Sequence, residues 1–223
     1  MRYVLAAAWL MLVPAAPAVA ATSVSIGINL GAYPRLVPVP GYPVYYAPSV
    51  NSNYFFYDGM YWVFDGDNWY DSPWYNGPWT AVDPFYVPSY VLRVPVRYYR
   101  RPPVYFHGWS ANASPRWHEH WGNQWGERRG DWNRYDRRSV PARAPLPTYQ
   151  RQYSGNRYPT EQRQVEMHTQ NYRYQPRDEV VQQHYQERGF QRGQERRAES
   201  PAPQREQREQ RSPREDRQRE NRQ

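Results

Sequence analysis

Two groups of residues have types and spacing that would support chemistry. Asp58, Asp65, Asp67 and Asp71 lie within fourteen residues of one another, close enough to supply the carboxylate pair that general acid–base catalysis requires. Three of them, however, sit in or beside turn dipeptides, where aspartate is expected for backbone reasons alone. The second group is His118-Glu119-His120, with His107 upstream. In an extended segment, histidines two apart point to one side and would meet one ion, whereas on a helix they diverge. The spacing is neither that of a zinc finger nor H-E-x-x-H, and the Asp65-x-Asp67-Asn68 run lacks the remaining ligands of a calcium loop. A metal-binding periplasmic protein is therefore the distant reading, and polar residues set between tryptophans the plain one. The chain has no cysteine, and it lacks G-x-S-x-G, a Walker loop and G-x-G-x-x-G. The expectation is a protein that is not an enzyme, with no catalytic residues, no bound metal and no cofactor.

Any site must be positioned by what the chain can fold. Arg2, the apolar run from Tyr3 to Val13 and the small residues Ala18-Val19-Ala20 read as a secretory signal peptide over residues 1–20. The apolar run is too short to span a bilayer, which takes about 20 residues. Export without cysteines suits a bacterial periplasm or the outer-membrane and cell surface better than a disulfide-stapled secreted module. From Ala21 onward, Val, Ile, Leu and Phe number 28 of 203 residues, below the roughly 20% under which chains tend to stay disordered. The shortage is worst after Ser139, where only Val140, Leu146, Val165, Val180, Val181 and Phe190 remain. Residues 139–223 accordingly read as a disordered Arg/Gln/Glu-rich tail.

The best-organised stretch is Phe56 to Trp79. Asp58-Gly59 and Asn76-Gly77 suit type I′ hairpin turns, in which both central residues need positive φ, and Asp65-Gly66 is a third turn signal. Between them lie β-prone runs at 54–57, 60–64, 68–75 and 78–82, which predict a four-stranded antiparallel meander. Its cross-strand aromatic pairs would contribute about 0.2 to 1 kcal/mol each. Residues 23–30 alternate as a strand does, and the proline-punctuated 33–48 reads as extended linker or edge. The resulting division is a short strand and Pro-rich linker (21–53), the aromatic meander with its Pro-rich extension (54–103), a Trp/Arg-rich region (104–138) and the tail. Trp117, Trp121 and Trp125 are four apart, the spacing that stacks rings along a short helix, although Gly122, Gly126 and Gly130 weaken one. In the tail, Asp178 is placed to cap a helix that carries Val181 and Tyr185 on one face and stops at Gly189. The fold class expected is mostly disordered, with a small all-β antiparallel core and short helices in the Trp-rich and Arg/Gln-rich regions.

All 29 basic residues are arginine, and the net charge is +8. By segment it runs from −3 up to Tyr90, through +6 from Val91 to Arg138, to +5 beyond. Arginine forks grip phosphate and carboxylate in pairs and stack on aromatic rings. Two binding readings follow. In one, Trp62, Trp69, Trp74 and Trp79 stand out of the meander and stack on flat ligand faces, or they settle at a membrane interface; against it stands burial of the rings as the core of a small sheet. In the other, Arg97, Arg100, Arg101, Arg128 and Arg129 hold a polyanion such as lipopolysaccharide, cell-wall polymer or extracellular DNA. Its counterpart is a merely solvated tail, since Arg and Glu alternate after Gln204. No specific nucleic-acid motif is present.

The phrase "PRLVPVPGYPVYYAP", the Trp-Gly copies of "YDGMYWVFDGDNWYDSPWYNGPW", the run "VLRVPVRYYRRPP" and the Trp-rich "PRWHEHWGNQWGERRGDW" together resemble the exported proteobacterial proteins grouped by WXXGXW or YXWGXW repeats. The resemblance covers most of the chain through about Tyr185 and implies a secreted or envelope protein, with no activity attached. Composition and resemblance lead to one expectation: a non-enzymatic exported cell-envelope protein with a structural or binding role through its aromatic and arginine-rich surfaces. Anionic envelope polymers or a membrane surface are the expected partners.

Overall fold

The computed structural model describes residues 23–24, 27–134 and 138–189. The expected signal peptide and the Q-R-E repeats after Gln204 lie outside the described residues.

Seven antiparallel strands form one sheet: β1 (Ser23–Val24), β2 (Val37–Pro38), β3 (Val44–Tyr46), β4 (Asn53–Tyr57), β5 (Met60–Asp65), β6 (Asn68–Ser72) and β7 (Trp79–Val82). Their spatial order is β1-β7-β6-β5-β4-β3-β2. The four-stranded meander read from the sequence is the middle of this sheet. Asp58 and Gly59 both have positive φ, 50° and 96°, and close the β4–β5 hairpin between paired Tyr57 and Met60, as a type I′ turn requires. The next turn sits one residue later than expected: Gly66 and Asp67 carry the positive φ, 54° and 66°, between paired Asp65 and Asn68. Asn76-Gly77 is not a two-residue hairpin. Six residues, 73–78, connect β6 to β7, and the Asn76 Oδ1 accepts the Leu30 N–H at 2.6 Å. The proline-rich 33–48 supplies edge strands β2 and β3, with Pro38 placed at the rim, where a missing N–H is harmless.

Both faces of the sheet are covered. On one, Phe55, Tyr57, Met60, Trp62, Phe64 and Trp69 pack under residues from 87–132 and under Val181 and Tyr185; on the other, Tyr54, Phe56, Tyr61, Val63, Tyr75 and Trp79 pack under Ile28, Ala47, Val50 and Ala144. Successive residues of β4 and β5 therefore alternate between two cores rather than between core and water. Short helices cover the first face: α1 (Ser89–Leu92), α2 (Trp117–Trp121) and α3 (Asn123–Arg128). The expected tryptophan stack is present but bent, because Gly122 at φ 83° separates α2 from α3. Trp117 and Trp121 stack at 4.4 Å between ring centroids, Trp125 lies 4.8 Å from Trp121, and Trp132 lies 5.7 Å from Trp125.

The expectation of a mostly disordered chain is corrected by residues 138–189. They form α4 (Glu161–Asn171) and α5 (Glu179–Glu187), two 3₁₀ turns, and connecting segments packed on the sheet. Aliphatics are scarce there, but tyrosines and buried amides take their place. Tyr149, Tyr153 and Tyr158 surround Trp74 at 5.6 to 5.9 Å. Gln150, with no exposed surface, binds the Tyr61 hydroxyl, the Tyr75 N–H and the Pro73 carbonyl. The Asp178-capped helix is present as α5: its carboxylate accepts the Val180 N–H at 3.0 Å, Val181 and Tyr185 are buried, and Gly189 ends it at φ 74°. Helix α4 was not foreseen.

Candidate functional site

The four tryptophans expected to meet a ligand are core residues. Trp62, Trp69 and Trp74 have no exposed surface and Trp79 has 2%, so none presents a ring to a ligand in this conformation. The cause is the two-sided cover, which leaves no bare sheet face for them. Trp74 donates its indole N–H to the Gln164 carbonyl at 3.2 Å, while the Trp62, Trp69 and Trp79 indole nitrogens find no hydrogen-bond partner among the described residues.

The five candidate arginines separate into two kinds. Arg129 turns inward: it donates to the carbonyls of Phe85 and Val87 and to the Ser89 hydroxyl, and burial lowers its pKa. It ties the end of α3 to residues 85–89. Arg128 is exposed, with its guanidinium over the Phe85 ring at 5.7 Å. Arg97 is exposed, stacks over Tyr98 at 4.9 Å and donates to the Asn112 side chain at 2.9 Å. Arg100 and Arg101 are exposed as well. None of these last four forms an ion pair with a carboxylate among the described residues.

Arg100 and Arg101 stand on a loop held at both ends. Buried Tyr99 and Phe106 bracket it, with their rings 5.2 Å apart. At the first strand residue of β4, the buried Asn53 side chain accepts the Arg101 N–H at 2.8 Å and donates to the Arg101 carbonyl at 2.7 Å. The backbone of Arg101 is thus satisfied internally and its side chain is left to water.

The acidic and histidine groups are dispersed. Asp58 accepts from the Tyr174 hydroxyl at 2.6 Å and from the N–H groups of Arg177 and Asp178, each at 2.8 Å, so it fastens the β4–β5 turn to the start of α5. Burial raises its pKa against those three bonds. Asp67 lies 2.8 Å from the His120 Nε2 and accepts from the Tyr105 hydroxyl at 2.7 Å, while the Tyr105 and His120 rings stack at 3.9 Å. His118 is exposed on the adjoining helix position and approaches Glu119 at 3.8 Å. Among the described residues, no group of three or more His, Asp or Glu side chains is placed to hold a metal ion.

Two polar clusters were not read from the sequence. Asp71, with no exposed surface, forms an ion pair with Arg188, also accepts at its backbone carbonyl from Arg188 Nη2 at 3.0 Å, and lies 2.8 Å from His184 Nδ1. Nδ1 is at ion-pair distance without hydrogen-bond alignment on Oδ2. Burial lowers the Arg188 pKa to about 10 and pushes that of His184 below its ordinary value. The other His184 nitrogen faces the Tyr86 carbonyl at 3.2 Å. The Asp71–Arg188 ion pair, with His184 beside it, joins α5 to β6. The four-residue spacing of His184 and Arg188, one helical turn, was the only signal available. In the second cluster, His168 lies between the Tyr149 hydroxyl at 3.0 Å and the Tyr185 hydroxyl at 3.2 Å, and Tyr185 donates to the Gly59 carbonyl at 2.8 Å. Since the Tyr185 proton goes to Gly59, His168 Nε2 donates to Tyr185 and Nδ1 accepts from Tyr149, which assigns a neutral imidazole. Desolvation lowers its pKa to about 3.

No helix among the described residues is long and apolar enough to cross a membrane. Comparison of the chain with protein-family models, with curated proteins and with solved structures found no match.

Proposed function

We propose that this chain is an exported, non-enzymatic envelope protein that binds anionic polymers or surfaces through arginines displayed on an aromatic-cored scaffold. The observation that carries the reading is the state of Arg97, Arg100 and Arg101: all three are exposed and none forms an ion pair with a carboxylate among the described residues. Arginines that served the fold would be turned inward, as Arg129 and Arg188 are. Uncompensated guanidinium groups on a rigid base suit phosphate or carboxylate ligands, which they grip in pairs. With Trp62, Trp69, Trp74 and Trp79 in the core, stacking falls to half-buried rings such as Tyr98, already paired with Arg97.

A titration of Ala21–Gln223 against lipopolysaccharide and against duplex DNA at low and high salt tests the reading. Binding should weaken steeply with salt, as ion release demands. Affinity indifferent to salt, or no binding to either polymer, would refute it.

A further inference from the structure

Two large hydrophobic side chains are exposed among the described residues, and Val104, at 92%, is far the more so of the two, Tyr86 being at 55%. A lone exposed valine is ordinary; its setting is not. Val104 follows Arg100, Arg101, Pro102 and Pro103, of which the first three are exposed, and it precedes Tyr105 and buried Phe106. The apolar tip therefore stands beside two arginines that have no ion-pair partner among the described residues.

The loop is also held in shape. The Asn53 clamp fixes the Arg101 backbone, the Tyr99 and Phe106 rings close the base, and a 3₁₀ turn from Val104 to Phe106 is secured by the Phe106 N–H on the Pro103 carbonyl and the His107 N–H on the Val104 carbonyl. Tyr105 is anchored on the other side by Asp67 and by the His120 ring. Two consecutive prolines remove further freedom. A chain poor in aliphatics thus exposes one of them to water, on a loop whose flanking rings Tyr99 and Phe106 are buried.

We propose that residues 100–104 form a membrane-docking tip, with Arg100 and Arg101 at the phosphates of anionic lipids and Val104, beside Pro102, entering the upper acyl layer. The inference rests on the polyanion reading and goes further by choosing a lipid surface over a soluble polymer. The choice follows from the pairing of charge with an apolar point. A soluble polyanion offers nothing for Val104 to enter, whereas interfacial binding combines attraction to anionic headgroups with shallow apolar burial. Because the loop is already ordered, docking costs little conformational entropy.

The test compares the parent chain with Arg100→Gln/Arg101→Gln and with Val104→Ser, titrated against phosphatidylcholine vesicles containing about one anionic phosphatidylglycerol in three, against pure phosphatidylcholine vesicles, and against inorganic polyphosphate. The substituted side chains are exposed, so the melting temperature should stay at the parent value in both variants. The parent should bind the anionic vesicles and not the neutral ones. Loss of the two arginines should weaken vesicle binding about fivefold each, about twenty-five-fold together, at low ionic strength. Val104→Ser should weaken it about tenfold while leaving polyphosphate binding unchanged. Val104→Ser binding vesicles like the parent would overturn the insertion while leaving the arginine reading intact. Binding to polyphosphate without binding to anionic vesicles would overturn the lipid surface in favour of a soluble polymer. Binding to none of the three would overturn both readings together.

Discussion

Replacing Asp71 by asparagine should loosen the attachment of α5 to the sheet, and the size of the effect can be worked from the clasp. Asp71 lies in the centre of β6, paired in register with Trp62 on one side and Thr80 on the other, and is wholly buried. Asparagine keeps the shape but leaves the Arg188 guanidinium, only 11% exposed, without its counter-charge. Breaking a buried pair by removing one partner typically costs about 3 to 5 kcal/mol. Arg188 retains the Asp71 backbone carbonyl, so the lower end of that range applies, about 3 kcal/mol. In a domain of this size that corresponds to a fall in Tm of roughly 5 to 10 °C. Thermal unfolding followed by circular dichroism reads it directly. Asp65→Asn, in a half-buried carboxylate that makes no ion pair among the described residues, is the control and should stay within about 0.5 kcal/mol of the parent. The double replacement Asp71→Leu/Arg188→Leu should recover much of the loss, since removing both charges removes the uncompensated one. An Asp71→Asn protein that melts within a degree or two of the parent would refute the reasoning.

Three further outcomes follow from the packing. The pKa of His168 falls from 6.5 unfolded to about 3 folded, so the unfolded state takes up the proton first and stability, complete above pH 6.5, declines as pH drops toward 3; urea unfolding at a series of pH values should show that slope, and His168→Gln should flatten it. Alanine at Gly59 would place its Cβ 2.8 Å from the Tyr185 hydroxyl oxygen, at a φ of 96°, and should cost more than about 1 kcal/mol in the same melt. A chain ending at Ser139 loses Gln150 from the Tyr61 hydroxyl and three tyrosines from around Trp74, and should show no cooperative unfolding in the same melt.

The sequence made the middle of the sheet legible because turn chemistry is local. Asp58-Gly59 announces a hairpin without reference to anything distant, and Asp178 followed by Val181, Tyr185 and Gly189 announces a capped helix with one apolar stripe. What it hid is non-local. Counting aliphatics after Ser139 pointed to disorder, whereas the segment is held by Gln150, Gln164, His168 and its tyrosines, whose contacts lie 75 or more residues away for Tyr75 and Trp74. Trp62, Trp69, Trp74 and Trp79 were candidates for stacking because a lone meander would leave one face bare; only the arrival of residues 87–185 on the sheet closes it. Charge alone could not separate Arg129, which bonds backbone carbonyls, from Arg128 beside it. Arg100 and Arg101 were read as anion ligands from their type alone, and the Asn53 clamp that presents them spans 48 residues.

Salt-dependent binding tests the central claim most directly. Ala21–Gln223 and its Arg97→Gln/Arg100→Gln/Arg101→Gln variant should be titrated with lipopolysaccharide at low and high salt. The account predicts that the parent binds at low salt, loses affinity steeply as salt rises, and shows a shallower salt slope once the three exposed arginines are gone. Equal affinity and equal salt slope in parent and variant would contradict it.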